Sequence, residues 1–349
     1  MRRQVRRQVT RRDGTERTGL VWLGIVAGGA AALVLAVSFF AVSGAAQAPV
    51  PNTGPANNGL PAWAYNVPDK VQPKVEAEKG PVHLPGSSKE YDASETESGN
   101  HPPDWFPDEH GPAPKIVTGA PGSTFAACGS CHLMSGQGHP ESTDIAGMPA
   151  EYLARQMAYF KSGARKDPAR MNAIAKATSD EDARAAAEYF AASKPIPWVK
   201  LIESETAPKT YVSNRGRTRL LHPDGGTEPI GHRIIEVPQD AFRTLNRDPH
   251  SPFFAYVPPG SIAKGEALVK SGSAGKTIQC SLCHGDGLRG LGEVPRIAGL
   301  QPVYIARQLL DIQNGTSGGK AVALMKGVVS KLSEDEIISI SAYVGTLAP

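Results

Sequence analysis

All four cysteines of the 349-residue chain fall into two five-residue strings, CGSCH at Cys128–His132 and CSLCH at Cys280–His284. Two thiols separated by two residues, with an imidazole directly after the second, suit one chemistry above others. The sulfurs can bond the two vinyl groups of a haem while the imidazole coordinates the iron from one face, which is how the C-x-x-C-H attachment signal works. Other uses of paired cysteines fit less well. Zinc-ribbon knuckles lie about 15–20 residues apart, whereas the first cysteines of these pairs are 152 positions apart. A thioredoxin-like pair needs a βαβ setting that neither string has. Structural disulfides outside the cytosol remain the third use of the same residues. The reading favoured is two covalently attached haem c groups, held by Cys128, Cys131 and His132 and by Cys280, Cys283 and His284. Attachment of that kind takes place on the oxidising side of a bacterial membrane.

The residues around the strings repeat as well. IAGMPAEYLARQM from Ile145 to Met157 answers IAGLQPVYIARQL from Ile297 to Leu309 at the same offset of 152. Tyr152, Arg155 and Gln156 thereby match Tyr304, Arg307 and Gln308. Further on, a stretch beginning at Met171 answers one beginning at Met325, with two extra residues ahead of the second. Each copy reads as mainly helical. Leu153, Met157 and Phe160 give an apolar stripe at helical spacing behind Pro149, a residue that suits a helix start. The last helix of each copy opens with a capping-box pattern, Ser179 to Asp182 and Ser333 to Glu336, and Pro195 ends the first of them. A unit of about 80 residues has a thin apolar core of its own, so a held macrocycle would supply part of its interior. No comparable amphipathic run precedes CGSCH.

An iron that only passes electrons needs a second axial ligand. Met171 and Met325 follow the motif histidines by 39 and 41 residues, and each stands 8 residues before the capping serine. A thioether is soft and uncharged, and His/Met ligation raises the reduction potential. Methionine is also an ordinary core filler. The repeated position favours Met171 and Met325 as ligands, with Met134, Met148, Met157 and His139 as competitors in the first copy. Met148 and Met157 match Leu300 and Leu309, which marks them as core residues. A ligating histidine usually donates its other ring N–H to a carbonyl, and the carbonyl of Pro295, or of Thr143 in the first copy, is placed to accept it.

Taken together, the C-x-x-C-H strings, the IAG…Y…RQ helix and the Met…Ser-acidic stretch resemble the tandem dihaem cytochromes c of the bacterial cytochrome c4 type and their small c553-like relatives. The resemblance covers about residues 115–195 and 262–348. It implies two class I cytochrome c folds, with His132 and Met171 on one iron and His284 and Met325 on the other, acting as an electron carrier rather than an enzyme.

The fold expected is therefore mainly α: two haem-binding helical domains, 115–198 and 262–349, plus one N-terminal transmembrane helix. The arm of residues 1–18 holds seven arginines against two acids, and residues 19–46 carry no charge at all. That apolar run exceeds a signal h-region and can span a bilayer. An uncleaved signal anchor is favoured over cleavage near Ala46-Gln47-Ala48. Arginines stay cytoplasmic, so the expected location is the bacterial inner membrane, single-pass, with the haem domains in the periplasm. Without the arm, 30 basic residues face 32 acidic ones, which implies no nucleic-acid partner.

Residues 47–114 have the Pro-, Gly- and Ser-rich composition of an extended linker. Within them, Lys89 to Glu109 holds seven acids and one lysine, read as a solvated run or else a docking strip for a basic partner. Residues 199–261 read as an irregular packed connector with β-prone patches at 234–237 and 253–257; its His222, His232 and His250 are expected to be structural. The partners expected are redox proteins: a membrane complex, a periplasmic dehydrogenase, a terminal oxidase or another cytochrome. The alternatives are a cytochrome subunit of a larger dehydrogenase or oxidase complex, and a dihaem enzyme with one open iron. Oligomeric state is not legible.

Overall fold

The computed structural model describes residues 60–75, 79–167, 169–273 and 275–349. The basic arm and the apolar span of 19–46 lie outside them, and no helix among the described residues is long and apolar enough to cross a membrane. Within them the chain is mainly helical, with twelve α-helices and nine short strands.

Residues 60–75 and 79–114, part of the stretch 47–114 expected as an extended linker, fold against the rest of the chain. Strands β1 (Pro81–His83) and β2 (Glu90–Asp92) pair antiparallel, and α1 (Ala93–Thr96) follows. Asp92 caps α1 by accepting from the Ser94 N–H, while Glu95 accepts from the Asp92 N–H. A few large apolar anchors outweigh the linker composition: Trp63, Val82, Leu84 and Trp105 are buried. The Trp63 indole donates to Glu334, and the Trp105 indole donates to the Asn246 carbonyl, each over a long sequence separation. Most acids of this stretch find partners within the fold. Glu90, Glu97, Asp104 and Glu109 pair with His83, Arg215, His110 and His250, and Asp92 and Glu95 form the cap. All of these but Asp104 remain exposed, as a solvated acidic run would be.

The first repeat comprises α2 (Lys115–Thr118), α3 (Gly129–His132), α4 (Ala150–Ser162), α5 (Met171–Ala177) and α6 (Asp180–Ala192). Pro149 stands at the start of α4, whose Leu153 and Phe160 are buried. Ser179 caps α6 by accepting from the Asp182 N–H at 3.0 Å. The reciprocal half of the expected capping box is missing there. Asp182, one methylene shorter than glutamate, accepts the Ser179 hydroxyl instead. In the second repeat Glu336 does reach back to the Ser333 N–H, completing the box.

The connector is more regular than expected. Strands β3 (Val199–Glu203), β4 (Thr206–Pro208), β5 (Thr210–Val212), β6 (Arg219–Leu221), β7 (Thr227–Pro229), β8 (Ile235–Pro238) and β9 (Phe253–Val257) surround α7 (Ala241–Leu245). In the largest sheet β9 is central, parallel to β3 and antiparallel to β8. Each connector histidine sits beside a carboxylate: His222 by Asp224, His232 by Asp335, His250 by Glu109.

The second repeat comprises α8 (Ser261–Ser271), α9 (Ser281–His284), α10 (Pro302–Gln313), α11 (Lys320–Val329) and α12 (Glu334–Thr346). Its core is set by α8 crossing α12. Gly265 allows that approach, since a Cβ there would lie 1.9 Å from the Ser339 carbonyl oxygen. The first repeat has only the one-turn α2 in place of α8. Trp63 and the connector's Ile234 join the same buried cluster as both repeats.

Candidate haem sites

Each C-x-x-C-H string forms a single helical turn, α3 or α9, so its second cysteine and its histidine sit on one short rigid element. In the first repeat, Nδ1 of His132 lies 3.1 Å from the Thr143 carbonyl oxygen; in the second, Nδ1 of His284 lies 2.9 Å from that of Pro295. A carbonyl can only accept, so Nδ1 carries the proton and Nε2 is left as the free ligand atom. The same partner is reached by different backbones. Thr143 has φ of 43°, a value closed to proline, so the two copies hold equivalent carbonyls without sharing a backbone. Burial lowers the pKa of both imidazoles, favouring the neutral form that can bind a metal. Burial also pushes the Cys128 thiol up to about 12 and the Cys280 thiol up to about 11.

The first site is a cavity of about 590 Å³, partly open to the surface. Cys128, Cys131 and His132 line it together with Met171 and Ile174 from α5, and Leu153, Phe160 and Phe190 supply apolar wall. The volume is in the range of cofactor pockets. Met148 and Met157 also reach this cavity, so Met171 is not the only thioether on its wall. Met134 is buried in the core, and His139 faces the Phe253 ring at 6.2 Å between centroids. In the second repeat His284 is buried, Cys280 half-buried and Cys283 exposed, and Met325 packs against the core from α11.

The cavity's polar end fits an anionic macrocycle edge. Arg165 lies 2.6–3.3 Å from three neutral acceptors, Gln156, Tyr304 and Gln308, and is in ion-pair distance of no carboxylate among the described residues. Asp311, which also lines the cavity, acts on Arg165 only from beyond ion-pair distance, so haem carboxylates could pair with the guanidinium directly.

Tyr304 and Gln308 belong to the other repeat, and that exposes a symmetry the sequence reading did not use. Two contacts join positions that correspond in the two copies. Arg165 and Ser317 form an antiparallel bridge, and Asp144 pairs with Arg296; the equivalent Tyr152 and Tyr304 both line the first cavity. Contact between equivalent residues is the mark of a local twofold axis. Asp144 and Arg296 are buried on that axis, and Arg296 also donates to the carbonyls of Ala146 and Ala298. Off the axis, Arg155 pairs with Glu293, while Arg307 donates to the Glu141 carbonyl, the matching position. The offset of 152 already set an aspartate against an arginine, a signal available in the sequence.

No family model matches the chain. Curated relatives do. The "Thiosulfate dehydrogenase electron acceptor" of Thiomonas intermedia is 26% identical over 63% of this chain and 77% of its own length. A "Cytochrome c4" of Pseudomonas aeruginosa is 24% identical over 63% of this chain and 83% of its own length. "Cytochrome c-554(547)" of Halothiobacillus neapolitanus is 34% identical over 86 residues, which are 22% of this chain and 94% of that protein. Two haem-ready histidines, a cavity lined by one complete motif, and this likeness lead to one statement: the chain belongs to the c-type cytochromes, is similar to cytochrome c4, and has haem c as its cofactor.

Proposed function

We propose that this chain is a membrane-anchored dihaem electron carrier of the periplasm. The observation that carries it is the duplicated histidine geometry, with Nδ1 donating to a carbonyl in both repeats and one complete motif opening into a cavity that Met171 also lines. Haem c, when bound, supplies a one-electron iron couple. Cys128, Cys131, Cys280 and Cys283 would hold the two groups covalently, and His132 with Met171, and His284 with Met325, would bind the two irons. The apolar walls of the first cavity would keep water from the iron, and thioether ligation would raise its potential. Both irons closed means no place for substrate, so the protein transfers electrons and is not itself an enzyme. Residues 19–46 would anchor it in the inner membrane, which membrane-fraction extraction of the full chain tests.

A second reading is favoured by the relative described as a thiosulfate dehydrogenase electron acceptor. The chain would then accept electrons from a dehydrogenase, as its subunit or its dedicated partner. Haem quantified as the pyridine haemochrome tests the shared chemistry. Two haems per full-length chain are expected, one after Cys128→Ser with Cys131→Ser, and a wild-type count of one refutes the dihaem reading. Co-purification of a second subunit at fixed ratio would favour the complex over the free carrier.

A further inference from the structure

The two repeats present their motif faces differently. In the second repeat the exposed large apolar side chains are Ile278, Leu282, Leu291 and Leu324, at 49, 66, 61 and 79% exposure, and all four flank Cys280–His284 or Met325 in sequence. The corresponding residues of the first repeat are Ala126, Ser130, His139 and Arg170, and none of them is exposed. Ser130 is buried, His139 faces Phe253 of β9, and Arg170 donates to the Gly216 carbonyl of the connector at 2.9 Å. The chain's own insert therefore closes the face of the first repeat that the second leaves open. Ala126 and Arg170 line the first cavity, and Ile278 and Leu324 are their counterparts in the second repeat. Ser130 and His139, the counterparts of Leu282 and Leu291, are not among the residues that line it.

An exposed cluster of this kind marks an interaction site, and its surroundings select the partner. Arg289, Lys320, Lys326 and Lys331 are exposed around it in sequence, and none forms an ion pair among the described residues. Lys320 lies one turn before Leu324 on the same face of α11. Of the exposed acids nearby in sequence, Glu293 pairs with Arg155, Asp335 with His232, and Glu334 accepts from the Trp63 indole, which leaves Asp286 without a partner of this kind.

We infer that the face of the second repeat around Cys280–His284 is the docking surface for an electron-transfer protein whose own apolar contact is rimmed by carboxylates. The inference rests on the two-haem reading above. An apolar centre would seat the partner and the basic rim would steer it, so association depends on salt.

The test is stopped-flow reduction of the full-length oxidised protein in detergent by reduced plant-type [2Fe–2S] ferredoxin, a strongly acidic probe. The second-order rate constant is expected to fall about tenfold from low to high salt. Leu282→Asp with Leu291→Asp should lower the low-salt rate about tenfold. Lys320→Glu with Lys326→Glu should lower it and flatten its salt dependence, while the haem count stays at two in both variants. Equal ferredoxin rates in wild type and variants, with two haems in each, overturn the docking face and leave the two-haem reading intact. Fewer than two haems in the wild type overturns that reading instead. Loss of binding to phosphatidylglycerol vesicles in the leucine variant, with ferredoxin rates unchanged, would make this a membrane-facing surface and also overturn the inference.

Discussion

The pairing of Asp144 with Arg296 permits an unusually direct test of how the two repeats are related. Asp144 has no exposed surface and Arg296 is 4% exposed. Arg296→Ala would leave the carboxylate buried with only the Ala146 N–H to accept from, and would orphan the Ala146 and Ala298 carbonyls. Breaking a buried pair by removing one partner costs about 3–5 kcal/mol. With m of roughly 1–3 kcal/mol per molar urea, the unfolding midpoint of the haem-loaded protein should fall by more than about 1 M. Arg296→Asp should be worse, because two carboxylates then face each other out of water. The informative variant combines Asp144→Arg with Arg296→Asp. Since the two residues occupy corresponding positions across a local axis, exchanging them should rebuild the pair and recover about half of the loss or more. Urea titrations followed by far-UV circular dichroism read all four proteins. If Arg296→Ala costs under about 1 kcal/mol, or if the exchange is no better than the worse single variant, the pair does not join the repeats as argued.

Further outcomes follow from single residues. Glu236 is buried, with one oxygen accepting from the Val303 N–H and the other without a partner among the described residues; burial raises its pKa to about 8. The folded state holds that proton more tightly than the unfolded chain, so its contribution is whole below about pH 4.5 and is lost as pH rises through 8. Glu236→Gln should remove this slope and gain on the wild type by up to roughly 4 kcal/mol from pH 5 to 9, read by urea denaturation across pH. Gly265→Ala should destabilise the second repeat by about 2–3 kcal/mol, because its methyl would strike the Ser339 carbonyl; hydrogen exchange should rise in α8 and α12 before it rises in α4. Thr143→Gly should stabilise the first repeat by about 1 kcal/mol by relieving its positive φ, and Thr143→Pro should displace the His132 acceptor, seen as a changed haem spectrum.

What the sequence made legible was local and repeated. The Cys–Cys–His turns, the helix after IAG, both capping serines and the carbonyls behind His132 and His284 depend on residues close together in the chain, and each was present twice to be compared. What it hid was set by distant partners. Residues 60–114 have the composition of a linker, yet Trp63 and Trp105 find acceptors at Glu334 and Asn246 that no local pattern reveals. The exposed acids Glu97 and Glu109 pair with Arg215 and His250 of the connector, partners equally hidden from any local pattern. Among the thioethers, sequence singled out Met171 by its repeated position, whereas Met148 and Met157 line the same cavity.

That choice of ligand decides between a carrier and an open iron, and one spectrum addresses it. The oxidised full-length protein should show the weak long-wavelength methionine-to-iron charge-transfer band at an intensity matching two haems, and carbon monoxide should leave the reduced spectrum unaltered. Half that intensity with carbon monoxide binding would mean one haem without its methionine, and would contradict the account of a closed two-haem carrier.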